Sequence, residues 1–276
     1  GALASALTKN TVLVALNLAR NFLCKDGAAG VARMLRANKS IQFLDLSRNN
    51  LHSEGASIIA RAIAHDSNPA SALTAVNLSQ NNLSNFEVDS EGGMALAMAV
   101  RQHRRLTFLD LSHNRLDSGA MSALAFAIKD NKVLVDLRLD DNGLNAEAAE
   151  MLASSLMHNR TLTRLSMSEN VLLSDGAKEI AIALSANPVL SWVNLSHNHI
   201  SKEGRTALGA VLRPDAKSII AALAESTSIV LPRQRHADVA TPESARAAFA
   251  ALAAAEAGGD AEGKAAADAG EGKGSE

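Results

Sequence analysis

One pattern, apolar-x-x-apolar-x-apolar-x-x-Asn-x-apolar, recurs seven times, starting at Leu13, Ile41, Leu73, Leu106, Leu134, Leu162 and Leu190. It is easiest to see in FLDLSRNNL, residues 43–51, and FLDLSHNRL, residues 108–116. Its asparagines fall at Asn21, Asn49, Asn81, Asn114, Asn142, Asn170 and Asn198. Four spacings between consecutive starts are 28 residues, and the second and third repeats are longer by four and five. The extra residues fall within 65–72 (HDSNPASA) and 84–91 (SNFEVDSE), which read as loops. A phrase that returns this regularly confines the chain to architectures in which one supersecondary unit stacks on copies of itself.

Each unit has two halves of different period. The first alternates apolar and polar, as in Phe43-Leu44-Asp45-Leu46-Ser47, which is the period of a short strand. In the second, apolar residues recur every four positions after a glycine, as in Gly55, Ile59 and Ile63 or Gly176, Ile180 and Leu184, which predicts a helix with one buried face. Strands stack about 4.8 Å apart, whereas helices need about 8–10 Å. The array must therefore curve into a horseshoe, with parallel strands on the concave face and helices on the convex face: an α/β solenoid.

The chain thus resembles the ribonuclease-inhibitor-like class of leucine-rich repeat, which includes the Ran GTPase-activating proteins and the repeat domains of NOD-like receptors. The resemblance covers roughly residues 1–212 and is specific for fold, not for activity. It implies two functional readings. One is a non-catalytic recognition or scaffold module, as a subunit of a larger intracellular assembly such as a cytoskeletal or axonemal one. The other is a GTPase-activating protein of the Ran type, against which the tail counts: residues 256–276 mix six acids with lysines, Ala and Gly rather than forming a strongly acidic stretch.

Residues 1–10 match a helical half-repeat, so the chain is read as starting in mid-repeat, with further repeats expected before it. After residue 212 the pattern stops. Residues 213–235 read as a capping segment, 236–257 as an Ala-rich helix entered through Thr241-Pro242-Glu243, and 258–276 as a low-complexity tail.

Hydrophobic content of 47% rules out a wholly disordered chain. A formal charge of −2 offers no global footprint for nucleic acid or anionic lipid, and no apolar run reaches the length of a membrane span, so neither is expected as a partner. With Cys24 alone there is no internal disulfide, which suits a reducing, cytoplasmic compartment, including cytoskeleton or cilium. Cys24 follows a core leucine and is expected to be buried or half-buried. The run Arg101-Gln102-His103-Arg104-Arg105 reads as a solvated helix end.

Strand alternation sends the third, fifth and seventh positions of the pattern to the concave side. The third reads Ala15, Phe43, Ala75, Phe108, Asp136, Arg164 and Trp192, and the fifth Asn17, Asp45, Asn77, Asp110, Arg138, Ser166 and Asn194. Exposed aromatics among charges are what a protein-binding face requires. This selects Phe43, Asp45, Phe108, Asp110, Asp136, Arg138, Arg164 and Trp192 as concave partner-binding candidates. The loops after the strands add Arg48, His113, Arg115, His197 and His199, and the inserted loop adds Phe86. Asp45 and Asp110 lie two repeats apart, about 10 Å at strand spacing, a gap that resembles that of an inverting glycosidase. The alternation already explains them as solvent-facing polar residues, so no catalytic residue is assigned. His197-x-His199 is too far from His113 for one ion, and no phosphate-binding glycine loop occurs. No metal or cofactor is expected.

Overall fold

The computed structural model describes residues 2–64, 70–84 and 91–211. Within them short strands alternate with helices: α1 (Ala2–Thr8), β1 (Ala15–Asn17), α2 (Cys24–Ala37), β2 (Phe43–Asp45), α3 (His52–Ile63), β3 (Ala75–Asn77), α4 (Glu91–Gln102) and β4 (Phe108–Asp110). The order continues with α5 (Ser118–Asp130), β5 (Asp136–Arg138), α6 (Ala146–Leu156), β6 (Arg164–Ser166), α7 (Leu173–Ala186), β7 (Trp192–Asn194) and α8 (Lys202–Val211). The seven strands form one parallel sheet in sequence order, and every neighbouring pair is in the register the pattern predicts. One lateral row runs Ala15, Phe43, Ala75, Phe108, Asp136, Arg164, Trp192. The capping segment, the Ala-rich helix, the tail and Phe86 lie outside the described residues.

The core lies between sheet and helices. Leu44, Val76, Leu109, Leu137, Leu165 and Val193, the central residues of successive strands, are at most 1% exposed. They meet helix residues spaced three or four apart, such as Ile59 and Ile63 on α3 or Ile180 and Ala183 on α7, so each unit buries its apolar face only against its neighbours.

Two ladders of side-chain hydrogen bonds join the units. The first is the predicted asparagine row. The Asn114 carboxamide oxygen accepts from Asn81 N at 2.8 Å, and its Nδ2 donates to the carbonyls of Leu78, Leu111 and Ser112 at 2.9, 3.0 and 3.2 Å. Asn49, Asn81, Asn142, Asn170 and Asn198 are likewise nearly inaccessible. The reason lies in the backbone. The residue before each asparagine is left-handed, with φ between 47° and 58° at Arg20, Arg48, Gln80, His113, Asp141, Glu169 and His197. A side chain in that conformation costs about 1–2 kcal/mol, and the buried carboxamide fastens the turn that requires it.

The second ladder is absent from the pattern as read in the sequence. It stands three residues before six of the seven repeat starts, where the preceding helix ends; before Leu73 its place is taken by Ala70. Asn38 accepts from Ser40 N and Ile41 N and donates to the carbonyls of Leu7 and Asn10 in the preceding unit. Asn131, Asn159 and Asn187 repeat this arrangement at intervals of 28 residues. His103 takes the same place in the third unit. It is 5% exposed, and its Nδ1 accepts from Arg105 N and Leu106 N at 3.1 and 2.9 Å, which puts the ring proton on Nε2. The expected solvated helix end is corrected at this residue: an imidazole nitrogen does the work of a carboxamide oxygen. His103→Ala should destabilise the chain by about 2–3 kcal/mol in chemical denaturation. His103→Asn should restore most of the loss, because it supplies the acceptor used in the other units.

Candidate functional site on the strand face

Side chains at the fifth strand position turn back onto the chain. Oδ1 of Asp45 accepts from Ser47 N at 2.8 Å and Oδ1 of Asp110 from Ser112 N at 2.9 Å; Asn17, Asn77 and Asn194 do the same two residues on. These are Asx turns, in which a short polar side chain replaces a backbone partner where the strand ends. Arg138 and Ser166 break the series; beside Ser166, Asp140 of the preceding unit substitutes, accepting from Ser168 N at 2.7 Å. Asp45 and Asp110 are consequently buried, at 8% and 9% exposure. The expectation of solvent-facing aspartates is overturned, because the residue following each strand needs an acceptor for its N–H.

Burial has a price for Asp110. Desolvation raises its pKa, opposed by the hydrogen bonds from Ser112 and by the Arg138 guanidinium, while Asp140 adds to the rise. The folded state therefore favours the neutral acid. Stability from this group is present below the ordinary value of 3.8 and lost as pH climbs through the raised value. Asp110→Asn keeps the Oδ1 acceptor without the charge, as at Asn77 beside it. It should stabilise the fold at neutral pH by on the order of 1 kcal/mol, about 2–4 °C in Tm. The advantage over wild type should vanish below the pKa of the free acid, a pair of thermal melts at neutral and acid pH being the check.

The third row, with Arg138, forms a continuous platform over β4 to β7. Asp136, 1% exposed, lies 3.3 Å from Arg164 Nε and 3.9 Å from Arg138 Nε, and Arg138 Nη1 is 3.9 Å from Asp110. The Arg138 guanidinium sits 5.1 Å from the centre of the Phe108 ring, and that of Arg164 4.5 Å from the Trp192 ring. Arginine heads are thereby held in place by carboxylates beside them and aromatic faces beneath them. Phe108 is buried at 3% exposure, so the expectation of an exposed aromatic fails there: Arg138 covers its ring. Phe43 and Trp192 are half-buried, as are the two arginines. The sequence placed all of these residues on one face, but lateral register alone does not say that the arginines fold down onto the rings.

The loop candidates form a separate rim. Arg48, Arg115, His197 and His199 are exposed and His113 half-buried, with its Nδ1 2.7 Å from Asp141 Oδ2. An open polar cleft of about 730 Å³ lies between Asn50, Gln80, Asn82, His113, Arg115 and Asp141. His113 stands three units from His197 and His199, and among the described residues no group of three or more His, Cys, Asp or Glu is placed to hold a metal ion. Cys24, expected to be buried or half-buried, is exposed: it opens α2 at a left-handed φ of 48°. No described helix is long and apolar enough to cross a membrane.

The profile of the Leucine Rich repeat family matches residues 37–60, 102–125, 158–181 and 186–209, each match running from the helix-stop ladder through the strand into the next helix. Leucine-rich repeats thus recur along the chain, and its alternating strand–helix unit is consistent with the ribonuclease-inhibitor-like class. Among solved structures it is similar to actin-binding site 2 of leiomodin-1, at 20% identity over 62% of this chain and 94% of that one, with a TM-score of 0.46. It is similar also to a tropomodulin C-terminal domain from Caenorhabditis elegans, at 18% identity over 63% and 99%, TM-score 0.46. A third is the leucine-rich repeat-containing protein LegL7 of Legionella pneumophila, at 20% identity over 76% and 83%, TM-score 0.39. No curated protein matches the sequence.

Proposed function

We propose that the chain is a non-catalytic protein-recognition module whose strand face, at its β4 to β7 end, receives a folded protein partner. The observation that carries this reading is the platform of Phe108, Arg138, Asp136, Arg164 and Trp192. Arginine and tryptophan contribute much of the energy of protein interfaces, and side chains already fixed lose little further freedom on binding. The Arg138 side chain, 28% exposed, presents part of its guanidinium to partner carboxylates or carbonyls. The buried carboxylates Asp45 and Asp110 are committed to backbone N–H groups, which argues against acid–base work. Immobilised chain should enrich a specific protein from an extract, and Trp192→Ala should cut its recovery by about tenfold, roughly one hot-spot side chain's contribution. Recovery equal to wild type from the folded variant would refute the strand-face reading. The identity of the captured protein decides whether the setting is cytoskeletal or axonemal, the narrower form of this proposal.

A further inference from the structure

We propose that the loop rim is a self-recognition surface, and that its partner is a second copy of this chain related by a twofold axis between the third and fourth units. This goes beyond the strand-face recognition proposed above and does not depend on it. The eighth-position row, left-handed throughout, runs Arg20, Arg48, Gln80, His113, Asp141, Glu169 over the first six units. Its charge is therefore ordered: basic, neutral, then acidic. A twofold axis lying in the contact plane across this row reverses it on the second copy while keeping it opposite itself. First then faces sixth, second faces fifth and third faces fourth. Arg20 meets Glu169, Arg48 meets Asp141 and Gln80 meets His113, each twice.

The adjoining row, two residues on, obeys the same symmetry. Phe22, 81% exposed, is brought opposite Val171, 42% exposed, with Leu173, 52% exposed, beside it. All three are exposed large apolar residues, and they stand at the two ends of the row, where the symmetry pairs them. Two independent properties, charge order and apolar placement, thus become complementary under one operation. A parallel arrangement would set Arg48 against Arg48 and Phe22 against Phe22. Asp141 remains available despite its contact with His113, because 56% of its side chain is exposed. The row spans five strand spacings, about 24 Å. Exposed ion pairs are individually weak and screened by salt, so association rests on the apolar ends and the charges set register and orientation.

The test is sedimentation equilibrium of the full chain at rising concentration, in about 0.1 M and about 1 M salt, where the Debye length falls from roughly 10 to 3 Å. Wild type should show a monomer–dimer equilibrium that weakens at least several-fold at the higher salt. Arg48→Glu and Asp141→Arg should each weaken it about tenfold or more, a charge repulsion having replaced an attraction twice per dimer. The fold should accept both, since Glu169 occupies the same left-handed position as Arg48, and Arg48 the same position as Asp141. An equimolar mixture of the two variants should recover one-to-one association, because each swapped charge then faces its opposite. Phe22→Ser should also weaken association, whereas Trp192→Ala on the strand face should leave it unchanged, so failure of the rim and of the platform are told apart. A wild type that stays monomeric, an association indifferent to both charge changes, or a mixture no more associated than its components would overturn the proposal.

Discussion

Asn114→Ala is expected to lower the unfolding free energy by about 3–5 kcal/mol, and Tm by roughly 10 °C. The carboxamide is fully buried and serves four backbone groups in two units: Asn81 N and the carbonyls of Leu78, Leu111 and Ser112. Alanine would leave these in an enclosed turn that water reaches poorly, and each unsatisfied buried group costs about 1–3 kcal/mol. The same change at Asn21 should cost less than about 1 kcal/mol. Its carboxamide is exposed, and the carbonyls of Leu18 and Ala19 that it serves can turn to solvent. Urea unfolding of the two variants side by side separates the demands of the pattern from the demands of burial.

Asp136→Ala is the second large effect, at about 2–4 kcal/mol. Its carboxylate is 1% exposed and stands between two arginines, so removing it leaves Arg164 and Arg138 facing each other without their shared counter-charge. The loss is kept below that of a fully buried pair because the arginine side chains retain 15% and 28% exposure. Replacing Asp136 and Arg164 together by leucine should be less damaging than Asp136→Ala alone, since a buried pair exchanged for apolar groups leaves no orphaned charge. If the double replacement is instead the worse of the two, the ion pair contributes net stability and the platform is a brace first. Thermal melts with fluorescence or circular dichroism give both numbers.

The fold was legible because a repeat states its own register. Every strand occurs at the third to fifth positions of a pattern read from leucines and asparagines, and the row Ala15 to Trp192 is aligned as the spacing requires. What escaped were interactions that depend on direction rather than on place. The second ladder shows the first kind of failure: its residue changes identity from Asn38 to His103 and back to Asn131, so a search by letter misses what a search by acceptor would find. Its signal was present, an asparagine three residues before Leu13, Ile41, Leu134, Leu162 and Leu190. The aspartates show the second. Alternation correctly sent Asp45 and Asp110 away from the core, yet an acceptor two residues before an unpaired N–H bends back to it, and exposure is lost. Phe108 shows the third, since nothing in a linear sequence says that Arg138 lies over its ring rather than reaching into solvent. The left-handed rim residues were read as ordinary loop positions because arginine, histidine and glutamate carry no glycine-like mark of a positive φ.

Trp192 is the only tryptophan in the chain and stands at the edge of the platform, so the protein carries one built-in reporter at the proposed contact. Fluorine NMR of the fluorotryptophan-labelled chain, titrated with the protein it captures, therefore measures the central claim directly. Strand-face recognition predicts that the single resonance shifts or broadens in proportion to binding and that Arg164→Ala abolishes the response. A resonance that stays in place while the partner is demonstrably bound would contradict it.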